Sequence, residues 1–207
     1  MTRPTSSSKS PEEVLQLLRE GNARFVEGRC RHPHADLAAR REVALHGQHP
    51  FATVLGCSDS RVPPEILFDQ GVGDLFVVRT AGQVLGEAVL ASIEYAVLHL
   101  ETPLVVVLGH SRCGAVTATV QGGDAHGHLP RLIARIAPAV AEARAEAPGA
   151  GPEALVEAAT RRHVELVRRA ILDECPEVRV AQTAGRCRIQ AAFYDLQAGL
   201  VEFPDGR

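Results

Sequence analysis

Cys57, Asp59 and Arg61 occupy alternate positions in Gly56-Cys57-Ser58-Asp59-Ser60-Arg61-Val62-Pro63, and His110 precedes Cys113 by three residues in Gly109-His110-Ser111-Arg112-Cys113-Gly114. Thiol, imidazole and thiol are soft or borderline ligands, the inventory of a zinc site with one open position. A structural zinc usually closes its tetrahedron with a fourth protein ligand, so three ligands point to catalysis with water in the fourth place. Zinc brings that water's ionisation towards neutrality, from about 15.7 in bulk. Two thiolates cancel the ion's formal charge, so the water should be less acidic than beside three histidines, with activity rising on the alkaline side. Asp59 can accept the hydrogen of the resulting hydroxide and so direct a lone pair at a substrate. Arg61 can hold Asp59 by a charge-assisted, bidentate contact. The plainer alternative is a local ion pair. If the pair opens, the freed carboxylate can reach the metal and close its fourth position.

Other chemistries are tested by spacing. An arginine follows Cys57 at the fourth position rather than the sixth, which does not fit a cysteine-phosphatase loop. Gly71-Val72-Gly73 lacks the third glycine of a dinucleotide fingerprint, and there is no Gly-x-x-x-x-Gly-Lys phosphate loop. A nucleophilic Cys57, its pKa depressed by Arg61, stays open, although it leaves His110 and Cys113 without a role. A non-catalytic zinc or redox sensor built on Cys57 and Cys113 also stays open; it has no use for a hydroxide-orienting carboxylate. Cys30, His32 and His34 read as a basic surface loop, His126 and His128 as a solvated loop, and His163 as a core or interface histidine.

These groups must be positioned by strands. The apolar run 51–55 leads to Cys57, and the run 104–109 leads to His110. In an open α/β sheet, ligands bind beyond the carboxyl ends of the strands. A further strand is expected at 75–79, broken by Ala81-Gly82. Helices are expected from Ser10-Pro11 onward with Val14, Leu17 and Leu18 inward, over 36–46, briefly before Leu67, over 86–100 with Val89, Ile93, Ala96 and Val97 inward, from 113 to 121, over 129–147 with an interruption near Pro138, and over 153–174. The β-α-β-α-β-α order implies right-handed crossovers and a mainly parallel sheet. Residues 187–196 and 200–203 read as an antiparallel hairpin at the sheet's edge. The expected fold is therefore α/β: a central, mainly parallel sheet with a C-terminal antiparallel extension, flanked by helices, with an N-terminal helical arm. Residues 1–10 are expected to be a disordered terminus and 11–207 a single domain.

Composition bounds the partners. Net charge is -3, aromatic residues make up 4% and tryptophan is absent, which argues against a nucleic-acid partner. Five cysteines without an apolar leader do not look like a secreted disulfide framework. No apolar run reaches membrane-spanning length. A cytoplasmic protein with reduced thiols is expected.

The motifs already quoted, together with Phe76-Val77-Val78-Arg79 and Ser92-Ile93-Glu94-Tyr95-Ala96-Val97, make the chain similar to the β-class carbonic anhydrases over about residues 11–203. The resemblance implies one Zn2+ held by Cys57, His110 and Cys113, with an Asp59–Arg61 dyad. Asp59 would be a fourth ligand only in a closed form. It implies reversible hydration of carbon dioxide to bicarbonate and a proton, by attack of hydroxide on zinc. Gln48 would donate a hydrogen bond to substrate, and Phe76, Tyr95 and Gly114 would belong to the small pocket, partly from a partner subunit; Phe76 and Tyr95 otherwise read as core. A homodimer or homotetramer is implied, with the N-terminal helix embracing its neighbour. Bicarbonate regulation in relatives uses a tryptophan where this chain has Val54, although Arg79 matches. Ala81 stands where many relatives carry a larger aliphatic residue, so a slightly wider pocket is expected. The same ligand set would serve hydrolysis of carbonyl sulfide or carbon disulfide, which parallel assays separate.

Overall fold

The fold, a computed structural model, is described for residues 9–204. The expectation of disorder over residues 1–8, and residues 205–207, lie outside the described residues. Ser10 is ordered: its side chain accepts from the Glu13 N–H while the Glu13 carboxylate accepts from the Ser10 N–H, a reciprocal capping box on α1 (Pro11–Val26). The helix starts at Ser10-Pro11, as the sequence indicates.

Five strands form one sheet in the order β2 (Leu75–Thr80), β1 (Ala52–Cys57), β3 (Leu104–His110), β4 (Arg188–Tyr194), β5 (Val201–Glu202). All pairings are parallel except β4 with β5. The chain leaves β1 to one side for β2 and returns past it for β3. The carboxyl ends of β1 and β3 therefore flank the point where the winding direction reverses, the crevice in which open α/β sheets bind ligands.

Alternation along β3 explains the two-sided core. Val105 and Val107 face α4 (Glu87–Leu98), α7 (Pro152–Glu174) and α8 (Pro176–Thr183). Leu104, Val106 and Leu108 join the cluster that holds Val14, Leu15 and Leu18 of α1 and Leu67 of the short α3 (Pro64–Leu67). A third cluster joins Cys57 and Cys113 to α5 (Gly114–Gln121), α6 (Leu129–Glu146) and α7. The metal-ligand candidates are thus continuous with packed core. Among the described residues, no helix is long and apolar enough to cross a membrane.

The expected antiparallel hairpin at the sheet's edge is present as β4 with β5, and β4 also pairs in parallel with β3 over seven residues, from Leu104↔Arg188 to His110↔Tyr194. Its run 189–194 is buried throughout, as parallel strands covered on both faces are. Pro138 does not interrupt α6; it lies on the exposed side, where the carbonyl it leaves unpaired can take water. In α1 it is Leu15 rather than Leu17 that is buried. The buried stripe of α7 passes through Leu155, Ala159, His163, Val164, Val167 and Ile171. Helix α8 was not anticipated. The inward residues of α4 are Val89, Ile93, Ala96 and Val97, as periodicity indicates.

The N-terminal arm is bonded to its own chain. A Cβ on Gly21 would lie 1.8 Å from the Phe68 carbonyl oxygen, so α1 approaches the turn after α3 as only glycine allows. Buried Asn22 donates to the carbonyls of Leu67 and Gly199 and accepts from the Val201 N–H. Asp69 accepts from Arg24 Nε at 2.6 Å and from the backbone N–H groups of Arg31 and His32. Burial pushes the Asp69 carboxyl up, but Arg24 and the two amides outweigh it and its pKa is lowered. A lowered folded-state value means this stabilisation is present above the unfolded carboxylate value of about 3.9 and lost as pH falls below it. Asp69→Asn is expected to reduce the unfolding free energy by about 2 kcal/mol at pH 7, with the gap to wild type closing below about pH 4. Urea unfolding at both pH values measures it; equal stabilities at pH 7 would contradict the assigned role.

Candidate metal centre

Cys57 is the last residue of β1 and His110 the last of β3; Cys113 caps the amino end of α5. The ligand atoms of the three lie within 4.8 Å of one another and all three residues are buried. His110 Nδ1 is 2.9 Å from the Ser111 carbonyl oxygen. A carbonyl only accepts, so Nδ1 carries the proton and Nε2 keeps its lone pair. That Nε2 is buried without a hydrogen-bond partner. An orphaned imidazole lone pair beside two thiols is what a soft divalent metal satisfies, and the donor set fits zinc. The hydrogen bond at Nδ1 fixes the tautomer, the usual outer support of a ligating histidine.

The thiols are unlike each other. The hydrogen bond from Cys113 pulls the Cys57 pKa down against burial, with further help from His110 and the Gly82 N–H, which donates to Cys57 Sγ at 3.3 Å. Cys113 is pushed up by the same hydrogen bond and by burial. Cys175 and Cys187 are pushed up to about 12, chiefly by burial, and stay inert thiols.

At the mouth, Arg61 grips Asp59 with both arms: Nε to Oδ1 at 2.9 Å and Nη2 to Oδ2 at 2.7 Å, while the Arg61 N–H also donates to Oδ1. The Arg61 hydrogen bonds hold the Asp59 carboxyl well below the usual carboxylate range. Asp59 is turned to Arg61 and is not part of the Cys57–His110–Cys113 cluster. Arg79 fixes the connecting turn, donating from Nε to the Cys57 carbonyl and from Nη2 to the Asp59 carbonyl. Sequence reasoning did not find this clamp; the arginine at the carboxyl end of β2, beside the end of β1, was its only signal.

Gly114 is exposed next to Cys113, and an added Cβ there meets nothing within 4 Å, so open space adjoins the ligand. The other pocket residues are not brought to this centre within one chain. Phe76 pairs with Thr53, four residues along β1 from Cys57, about 13 Å at strand rise. Its ring lies 6.1 Å from that of Tyr95, which is 46% exposed. Gln48 is exposed on the segment entering the amino end of β1, whereas Cys57 closes the carboxyl end. Cys30, His32, His34, His126 and His128 form no second cluster among the described residues; His34 instead contacts Asp74 at 2.9 Å. Val54, at the tryptophan position, is fully buried in the core.

The carbonic anhydrase family model matches residues 52–201, from the strand that ends in Cys57 to the closing hairpin. The chain belongs to the carbonic anhydrase family. Carbonic anhydrase 2 of Mycobacterium tuberculosis is 50% identical over 135 residues, covering 63% of this chain and 65% of that protein. The carbonic anhydrase of Mycolicibacterium smegmatis is 49% identical over 138 residues, covering 64% of this chain and 66% of that protein. The chain thus spans just under two thirds of the length of these curated relatives. Among solved structures, the Aspergillus fumigatus β-carbonic anhydrase CafA superimposes with a TM-score of 0.74 at 26% identity, over 94% of this chain and 90% of that one. A tetrameric β-carbonic anhydrase of Sordaria macrospora shares the fold, with a TM-score of 0.73 at 24% identity over 82% of this chain and 92% of that one. The five-stranded sheet with its antiparallel edge belongs to a fold shared with these β-carbonic anhydrases.

Proposed function

We propose that this chain catalyses the reversible hydration of carbon dioxide to bicarbonate and a proton, with one Zn2+ held by Cys57, His110 and Cys113. The observation that carries the reading is the buried, unpartnered Nε2 of His110 converging with two thiols at the sheet's reversal point, beside an arginine-locked aspartate. Zinc bound there supplies Lewis acidity, which makes water a nucleophile near neutral pH. Asp59, ionised and held in one orientation by Arg61, is purely an acceptor. It takes a hydrogen bond from the attacking water and turns a lone pair towards the substrate carbon. Arg79 keeps Asp59 in register with Cys57 by holding both backbone carbonyls. Gly114 leaves room for a small, uncharged substrate beside Cys113.

The reading extends to a homodimer or homotetramer. It is supported by helix α2 (Leu37–His46), which buries no residue in its own chain, and by the exposed Tyr95 ring. Phe76, Tyr95 and Gln48 would then serve the pocket of a neighbouring copy. Residues 11–207 act as one domain in this account. A cytoplasmic setting is supported by five unpaired cysteines.

Stopped-flow carbon dioxide hydration on protein of measured zinc content, between pH 6 and 9, tests the reading. Turnover proportional to zinc and rising towards alkaline pH is expected. Stoichiometric zinc without hydration would overturn the enzyme assignment, and a parallel carbonyl sulfide and carbon disulfide assay would identify the alternative chemistry.

A further inference from the structure

Gly82 lies in the short 3-10 turn Ala81–Gln83 that follows β2. Its φ of 64° is in the left-handed region, and an added Cβ would come within 3.0 Å of Ala115 Cβ and Ile136 Cδ1. No other residue fits there without displacement. This backbone aims the Gly82 N–H at Cys57 Sγ, 3.3 Å away. A turn of three residues is not stiff by itself. What fixes this one from behind is His163, a residue of α7 only 2% exposed, whose Nε2 is 2.9 Å from the Gly82 carbonyl oxygen. Because the partner is a carbonyl, Nε2 carries the proton and donates, while Nδ1 has no hydrogen-bond partner. Burial lowers the His163 pKa, so the ring stays neutral.

We propose that His163 is a positioning residue for the metal centre: its Nε2–H holds the Gly82 carbonyl, and this fixes the turn whose N–H donates to the Cys57 thiolate. The inference rests on the zinc site proposed above. A hydrogen bond to a ligating sulfur withdraws electron density from it, and such outer partners tune both ligand donation and metal affinity. Without the His163 grip, the turn relaxes, the N–H···S contact lengthens and the thiolate becomes the stronger donor. Nothing in the sequence links positions 82 and 163; helical periodicity marks His163 only as an inward residue of α7.

The test uses full-length protein loaded with cobalt(II), whose thiolate-to-cobalt charge-transfer absorption reports sulfur donation directly. In H163L the band is expected to move to lower energy, because the freed thiolate is the stronger donor. H163Q, whose side-chain amide can place an N–H near the position of Nε2, is expected to restore the band to its wild-type position. H163N, whose amide stops short of Gly82, should behave like H163L and stands in for it if the leucine does not fold. A purely structural role would lower thermal stability in these variants and leave the band unmoved; that result overturns the proposal. Absence of any charge-transfer band from the wild-type protein would instead sink the underlying metal site, so the two failures are distinguishable.

Discussion

Cys113→Ser is expected to leave the protein without stoichiometric zinc and to reduce carbon dioxide hydration to background. Cys113 is fully buried and begins α5, so its sulfur cannot be replaced by a neighbouring group without moving that helix. Serine keeps the size but offers a hydroxyl that does not ionise near neutrality and is a poor match for a soft site. The loss should exceed the roughly 10–100-fold that follows removal of an outer-shell partner, because a direct ligand is gone. The same substitution at Cys175 or Cys187 is the control. Both are buried, and both sit in a different core cluster from Cys57 and Cys113, with α4, α7 and α8. They should lose some stability, since a hydroxyl enters an apolar cluster, while zinc content stays at one per chain. Elemental analysis alongside stopped-flow assay reads both outcomes. If C113S retained full zinc, the ligand set would be wrong, whatever happened to turnover.

The centre was legible because its ligands are tied to the simplest local signals. Cys57 and His110 each terminate an unbroken apolar run, and such runs read as buried parallel strands whose carboxyl ends face a common crevice. Cys113 follows His110 by one short loop. Asp59 and Arg61 are two residues apart, so their pairing needs no long-range information. The inward face of α4 follows from its period alone. What sequence could not supply were contacts between elements distant in the chain. The Arg79 clamp depends on the register that pairs Gly56 with Arg79. The His163–Gly82 contact joins residues 81 apart, and only the packing of α7 over the end of β3 creates it. Gln83 is another such residue: fully buried at a φ of 43°, with neither end of its amide hydrogen-bonded, where sequence showed only the residue after a glycine.

The misread elements have physical causes of the same kind. The β4–β5 hairpin was legible because its turn is local; the longer pairing of β4 with β3, some eighty residues earlier, was not. Pro138 reads as a break because proline removes an N–H, yet packing of α6 on both α5 and α7 outweighs one lost bond at a solvent-facing position.

Asp59→Asn is expected to keep one zinc per chain and to lower kcat by about 10²–10³-fold, within the range of a positioned acid–base group. Asparagine is isosteric, and Asp59 is not part of the ligand cluster, so metal binding has no reason to change. What changes is hydrogen-bonding character. The carboxylate can only accept, and Arg61 occupies both its oxygens from one side. The amide instead presents N–H donors, one of which must face either the Arg61 guanidinium or the attacking water. The first choice sets donor against donor; the second removes the acceptor that orients the nucleophile. Arg61→Leu should also suppress turnover, by a different route: it frees an ionised Asp59 that can swing to the metal and occupy the substrate's position. The two variants are separable with an added small anion that binds zinc. D59N should bind it as wild type does, whereas R61L should bind it weakly because its own carboxylate competes. Wild-type turnover in D59N would reduce the Asp59–Arg61 contact to a local ion pair and leave the nucleophile without a protein group to orient it.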